Sequence, residues 1–397
     1  MKKLKVSELK PGMVFDQPVY IDSSNLLLQS GQELQAKDIE RLMKWGILEV
    51  QTNGGVVQQT TAEKEILPPP VAAALDPGNP DISKIAADYD TFRKARFNIK
   101  SMIQQGADIL GANMIALTEG KPFDNSALLN LAGKLVDEVQ SKRFFLLAFH
   151  GMRIKAPTQV YHNIQAAAYA TAMASSMNYT RPRTQELVFS VLVMDAGMYQ
   201  IPGHVRDKAG ALADQERAAL RSHPIIGNQL LLKNAKVKPA LANVALQHHE
   251  YFDGSGYPQS LRAAQIEETA RIALIADSYT AMIEKRPHRP GMLPYDAMKT
   301  MLSVDTGRFD PKLLRAFLGR LSIYPTGSIV QLSDKRMGMT LGCRPEKPLR
   351  PILRLLRDES GLPFSQLNFV DLFQASDLYI VRALDPLGAG IDLEAEI

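Results

Sequence analysis

The chain has 397 residues, 45% of them hydrophobic and 22% charged, a balance that suits two or three folded domains with a sizeable core. Lys plus Arg number 46 against 42 Asp plus Glu, for a net charge of +4; so even a balance argues against a DNA or RNA partner and leaves small phosphate ligands open. The single cysteine, Cys343, excludes an internal disulfide and a cysteine-based zinc cluster, and it fits a reducing cytoplasm.

The basic start "MKKLKVSELKPGM" is followed by no apolar run, so it does not read as a signal peptide. The longest apolar runs, "LVFSVLVM" and "FFLLAF", fall far short of the roughly 20 residues that cross a bilayer, and no membrane span is expected. Residues 1–52 combine short β-like runs ("MVFDQPVYI", "GILEVQT") with a helix around "AKDIERLMKW", which predicts a small α+β module. Residues 53–82 turn polar and proline-rich and read as a linker. Apolar residues then recur every three or four positions through "ISKIAADYDTFRKARFNIKSMI", "SALLNLAGKLVDEV" and "NIQAAAYATAMASSM". Connecting helices are expected over 83–155 and a multi-helix domain over 156–325. A β-rich tail over 326–397 carries the strand candidates "GSIVQLS", "RPILRLLRD" and "DLYIVRAL". The fold class expected is mainly α, with a small α+β module in front and a short β-rich tail behind.

Only 7 histidines are present, and several fall into a pattern with aspartates: His162, Asp195, His223, the pair His248/His249, and Asp277. The gaps are roughly 25 to 33 residues, about a helix plus its connection, so each group would come from a different helix and could face one cavity. Imidazole and carboxylate together suit iron, manganese, zinc or nickel, and an aspartate can bridge two ions. Histidines at such spacing also end as satisfied core or capping groups, so spacing alone leaves both readings open.

The local words decide between them. "HHEYFDGSGYP" resembles the HHE…DGSGYP signature of the HD-GYP family, bacterial phosphohydrolases that degrade cyclic di-GMP. In the expected order, "VYHNIQAAAYA" looks like the family's first-histidine helix and "GALADQERAALRSHPIIGNQLL" like its His-Pro helix. "ARIALIADSYTAMIEKRPHRP" resembles the final-aspartate helix and "RFDPKLLRAFL" the closing one. The resemblance covers about Tyr161 to Tyr324, and the N-terminal module is similar to one commonly fused to this family. It implies a fold of the HD phosphohydrolase type and a divalent metal, iron or manganese foremost, with zinc or nickel as alternatives. It places His162, Asp195, His223, His248, His249 and Asp277 at ligand positions, with Asp195 also the catalytic position. Cyclic di-GMP is the implied ligand. Arg286, Arg289 and Tyr257 are candidates to hold it, the arginines because guanidinium forks suit phosphate oxygens. Gly254, Gly256, Tyr257 and Pro258 would make a tight loop beside the cavity.

The sequence departs from the family at its name-giving pair. Where an HDIGK-like word is expected, the chain reads "LVMDAGMYQIP": Met194 replaces the histidine and Met198 the lysine, while Asp195 and Gly197 remain. A thioether is a poor ligand for a borderline divalent ion and offers no charge to a phosphodiester. The first ion would keep His162, Asp195 and Asp277 but lose a donor; the second, on Asp195, His223 and His248, would be complete. One tight ion rather than two is expected, with weak or absent hydrolysis. A working phosphodiesterase yielding pGpG or GMP is the alternative, and a scaffold binding neither metal nor nucleotide is a third. Protein partners in signalling are expected. Glu250 is expected to orient a histidine or bond locally. His150, His204 and His288 read as ordinary packing or surface histidines, and Trp45 and Cys343 as packing residues.

Overall fold

A computed structural model describes residues 2–21, 25–30, 32–59, 81–151, 154–208, 210–285, 291–303, 307–344 and 347–397. The chain divides into two compact units, one of residues 1–72 with 343–351, the other of residues 73–342 with 352–397.

In the first unit β1 (Lys2–Lys5), β2 (Met13–Phe15), β3 (Val19–Tyr20) and β4 (Leu26–Leu28) precede helix α1 (Ala36–Lys44), which β5 (Glu49–Thr52) and β6 (Val56–Gln59) follow. The order β1-β5-β3-β4 makes a four-stranded sheet, and β2 pairs with β6. Helix α1 starts where Asp38 accepts the Gln35 N–H at 3.1 Å, satisfying a backbone donor that the first turn leaves free. Phe15, Val19, Leu28, Leu34, Leu42 and Val50 form a small separate core. The predicted helix and the two predicted strand runs are present; β1, β4 and β6 are additions.

The second unit begins with α2 (Ile82–Thr118), capped by Asp81, whose side chain accepts from the Ser83 N–H at 2.8 Å. Its buried residues Ile85, Tyr89, Phe92, Ile99, Ile103, Leu110, Met114 and Leu117 fall every three, four or seven positions, a single stripe facing the core. Helix α3 (Asn125–Ser141) is capped by Asp124 in the same way. Helix α4 (Thr158–Ser176) is buried on nearly every face, because its run of alanines lets α3 and its other neighbours approach closely. Those neighbours include α5 (Arg181–Val193), which has Pro182 in its first turn. The short α6 (Gly203–Arg206) and α7 (Asp214–Arg221) lead to α8 (His223–Lys233) and α9 (Pro239–Gln247). Then come α10 (Glu268–Ile283), α11 (Pro294–Ser303) and α12 (Pro311–Leu321), with α10 and α12 also packed on α4.

Strands β7 (Ile329–Leu332), β8 (Met337–Arg344), β9 (Lys347–Arg357), β10 (Pro363–Asp371) and β11 (Ile380–Leu384) form a sheet in the order β10-β9-β8-β7-β11, and α13 (Leu393–Glu396) ends the chain. The mainly helical class with small strand regions at both ends is therefore as expected. The three strands read from sequence are β7, β9 and β11. Strands β8 and β10 escaped because "MGMTLGCR" carries two glycines and "PFSQLNFVD" several polar residues, with no clean apolar alternation.

Candidate metal centre

The site is built on α4. In a helix otherwise lined by alanine, His162, Asn163 and Gln165 are buried polar residues, and buried polar groups need partners. His162 finds two carboxylates: its Nε2 lies 2.8 Å from Asp277 Oδ1 on α10, and its Nδ1 lies 3.2 Å from Glu284 Oε2 just past that helix. Burial disfavours charge on this ring, but the hydrogen bonds to Asp277 and Glu284 outweigh it and push the pKa up to about 10. The Asp277 carboxyl, which burial alone would raise, is held below its ordinary value by His162.

One turn earlier on α4, Gln159 donates to Asp195 Oδ2 at 2.9 Å and to Asn163 Oδ1 at 3.0 Å. Asn163 in turn donates to the Leu192 carbonyl at 3.1 Å, tying α4 to the end of α5. Helix α5 ends at Val193; Met194 is fully buried, and Asp195 caps a 3-10 turn over Ala196–Gln200. Gly197 is required there: a Cβ on it would lie 2.0 Å from the His223 carbonyl oxygen. That contact brings the start of α8 against Asp195.

His223 opens α8, its Nδ1 donating to the Leu220 carbonyl at 2.7 Å; His248 closes α9, its Nδ1 donating to the Ala245 carbonyl at 2.9 Å. With both Nδ1 protons committed to backbone, the two Nε2 atoms converge at 3.3 Å and stand 3.5 and 3.7 Å from Asp195 Oδ1. Two imidazole lone pairs aimed at one point beside a carboxylate suit a divalent cation. Of the pair, burial works against charge on His248, yet Asp195 raises its pKa. Burial and the His248 charge lower that of His223. His249 lies alongside, its ring centre 4.1 Å from that of His248, with burial and the His248 charge holding its pKa well down.

The six residues thus form two groups whose ligand atoms lie within 4.8 Å of one another: His223, His248 and His249, and His162, Asp195 and Asp277. Asp195 sits between them, its Oδ1 facing the imidazoles. Tyr257 stacks on His249 at 4.9 Å, and the Arg221 guanidinium lies 5.0 Å from the centre of the Tyr257 ring. The loop before Tyr257 needs its glycines: Gly254 has φ +83°, and a Cβ on Gly256 would lie 2.2 Å from the Tyr251 nitrogen. Glu250 bonds locally, accepting from Gln259 N at 2.6 Å and Leu261 N at 2.9 Å. Met198 is half-buried and brings no charge; His204 is exposed on α6.

Arg286, His288 and Arg289 lie outside the described residues. Sequence reasoning passed over Glu284, Gln159 and Arg221. The carboxylate of Glu284, seven residues after Asp277 and therefore two turns along the same side, was a readable signal; the reach of Gln159 and Arg221 was not.

The profile described as an HD domain matches residues 146–313, and one described as a KOW domain associated with the HD domain matches residues 329–388, which span β7 to β11. A cyclic di-GMP phosphodiesterase of Pseudomonas aeruginosa is 26% identical over 398 residues, covering 98% of this chain and 93% of that protein. A cyclic di-GMP phosphodiesterase of Thermotoga maritima is 31% identical over 147 residues, 37% of this chain and 40% of its own. Among solved structures, an HDG"Y"P protein from Bdellovibrio bacteriovorus aligns over 80% of this chain and 97% of its own, with a TM-score of 0.45 and 18% identity. Among the described residues, no helix is long and apolar enough to cross a membrane. The HD-domain match over residues 146–313, the relatives named as cyclic di-GMP phosphodiesterases and the site's order of histidines and aspartates together support a place in the HD-GYP family of HD-domain proteins.

Proposed function

We propose that this protein binds a divalent transition metal and cyclic di-GMP in bacterial second-messenger signalling, in the cytoplasm, with weak or absent hydrolysis. The observation that carries the reading is the convergence of six donors into two groups beside Asp195, in a site where Met194 and Met198 stand for an imidazole and an ammonium. Asp195, His223 and His248 would hold one ion, iron or manganese before zinc or nickel, with His249 beside them. His162, Asp195 and Asp277 would offer the second position three donors. A bound divalent ion would neutralise phosphodiester charge and acidify water. The chain's own residues orient the donors: backbone carbonyls fix the His223 and His248 tautomers, and Glu284 and Gln159 hold His162 and Asp195. Tyr257 offers a stacked ring and Arg221 a cation on the same side as His249.

A second reading, an active phosphodiesterase producing pGpG or GMP, is favoured by the end-to-end similarity to a protein named for that activity. Asp195 would then be the catalytic position. Anaerobically purified protein supplied with Mn²⁺ or Fe²⁺ decides between them. Binding of cyclic di-GMP by calorimetry without product supports the first reading, and steady turnover supports the second. Neither binding nor turnover sinks both and leaves a signalling scaffold.

A further inference from the structure

Away from the candidate metal centre, the second unit holds a small cavity of about 30 Å³ between the segment 143–150 that follows α3, the middle of α4 and the end of α12. Arg143, His150, Tyr169, Arg320 and Thr326 are among the residues that line it. Arg320, in the last turn of α12, has a fully buried Nε with no hydrogen-bond partner, and among the described residues no carboxylate pairs with its guanidinium. Arg143 adds a second cation. Among the described residues, the carboxylate that pairs with it is Asp88, 3.9 Å away with both side chains partly exposed, a weak pair. The α12 terminus contributes roughly half a negative charge, which offsets part of one guanidinium and leaves the other uncompensated. A guanidinium stays protonated even here, so the site cannot neutralise itself by losing a proton.

The surrounding packing is tight and specific. Gly327 has φ +94°, and a Cβ on it would lie 2.9 Å from a Leu147 methyl and 3.0 Å from the His150 ring. Thr326 Oγ1 reaches the Leu341 carbonyl only at 3.5 Å, which leaves its hydroxyl free to turn inward. So small a space beside two guanidinium groups suits a monatomic anion better than a nucleotide.

We propose that this cavity binds one small inorganic monoanion of chloride size, held by Arg320 and Arg143 with Thr326 as a neutral donor. The ion supplies the missing counter-charge and ties the segment after α3 to the end of α12. Burial keeps His150 neutral, with a pKa lowered to about 4, so the ring adds no third cation near neutral pH.

Bromide-soaked crystals and melting curves of the full chain test the site. The expected result is an anomalous bromide peak within hydrogen-bonding reach of Arg320 Nε. In solution, chloride should raise the melting temperature above that in gluconate at equal ionic strength, by about 3 °C at ten times the dissociation constant. Arg320→Met should abolish both signals. Arg143→Gln, at a more exposed position, should fold regardless and raise the half-saturating chloride concentration about tenfold. A cavity without a bromide peak, or a chloride response of equal size in wild type and both variants, overturns the proposal.

Discussion

The imidazole-rich group of His223, His248 and His249 and the carboxylate-rich group of His162, Asp195 and Asp277 differ in what already satisfies them. In the second, His162 is bonded by Asp277 at 2.8 Å and Glu284 at 3.2 Å, and its raised pKa means that a proton does the work of a cation. In the first, both Nδ1 atoms are spent on backbone carbonyls, and the two Nε2 atoms meet 3.3 Å apart with one carboxylate oxygen beyond them. One group is held together by a buried ion-pair network around His162, whereas the other brings two imidazole Nε2 atoms and one carboxylate oxygen to a single point. The difference shows where a lost ligand costs most. On the proposed reading, Met194 leaves the His162 group one donor short, so the ion there would be the more easily lost.

The largest expected effect comes from reversing that loss. Met194→His combined with Met198→Lys should raise cyclic di-GMP turnover by roughly 10²–10³, the range attached to one pre-organised electrostatic donor. The double variant should exceed the product of the single effects, because a lysine helps only where the metal site is complete. Met194 is fully buried, so cooperative unfolding must be checked first. A folded double variant that holds two ions yet gains no turnover would mean the comparison misplaces the defect.

His248→Ala should cut affinity for the tight ion by more than about 100-fold, beyond the range typical of losing a supporting partner. Elemental analysis after dialysis reads this directly: about one ion per chain in the wild type and close to none in the variant. Two full ions per wild-type chain would erase the contrast between the groups. Glu284→Gln sharpens it further. In a Met194→His background it should weaken only the ion at His162, by about 10- to 100-fold, and leave the ion at His223 in place. Equal losses at both positions would show that the two groups act as one.

Arg221→Ala should have the smallest effect. The guanidinium is exposed and lies over Tyr257 rather than among the metal donors, so cyclic di-GMP affinity should fall by about 1 kcal/mol, roughly fivefold, with metal content unchanged. Calorimetry at two salt concentrations checks it, since the loss should shrink as screening grows. An unchanged affinity removes Arg221 from the nucleotide side of the site.

Much of this was legible beforehand. The wide, regular spacing of His162, Asp195, His223, His248 and Asp277 anticipated residues from successive helices meeting in one place, because helices in a bundle return to the same core at about that interval. The elements that bear them are less uniform than the spacing implies. Only His162 and Asp277 lie within helices; Asp195 caps a 3-10 turn, His223 starts α8 and His248 ends α9. Helix ends suit such groups, since their unpaired carbonyls fix the imidazole tautomers.

Residue types and their order along the chain were enough to anticipate the helical class, because composition and periodicity are local properties, and resemblance of the local words to the family nominated six candidate donors and marked Met194 and Met198 as departures. Which oxygen of Asp195 faces the imidazoles, that Glu284 completes the His162 pair, and that Gly197 must be bare for α8 to reach Asp195 were decided only by packing between segments far apart in the chain. The same holds for Arg320 and Arg143, unremarkable at positions 320 and 143, which line one cavity only when the segment after α3 meets the end of α12. Electrostatic environment depends on distances in space, and a linear order of residues does not contain them.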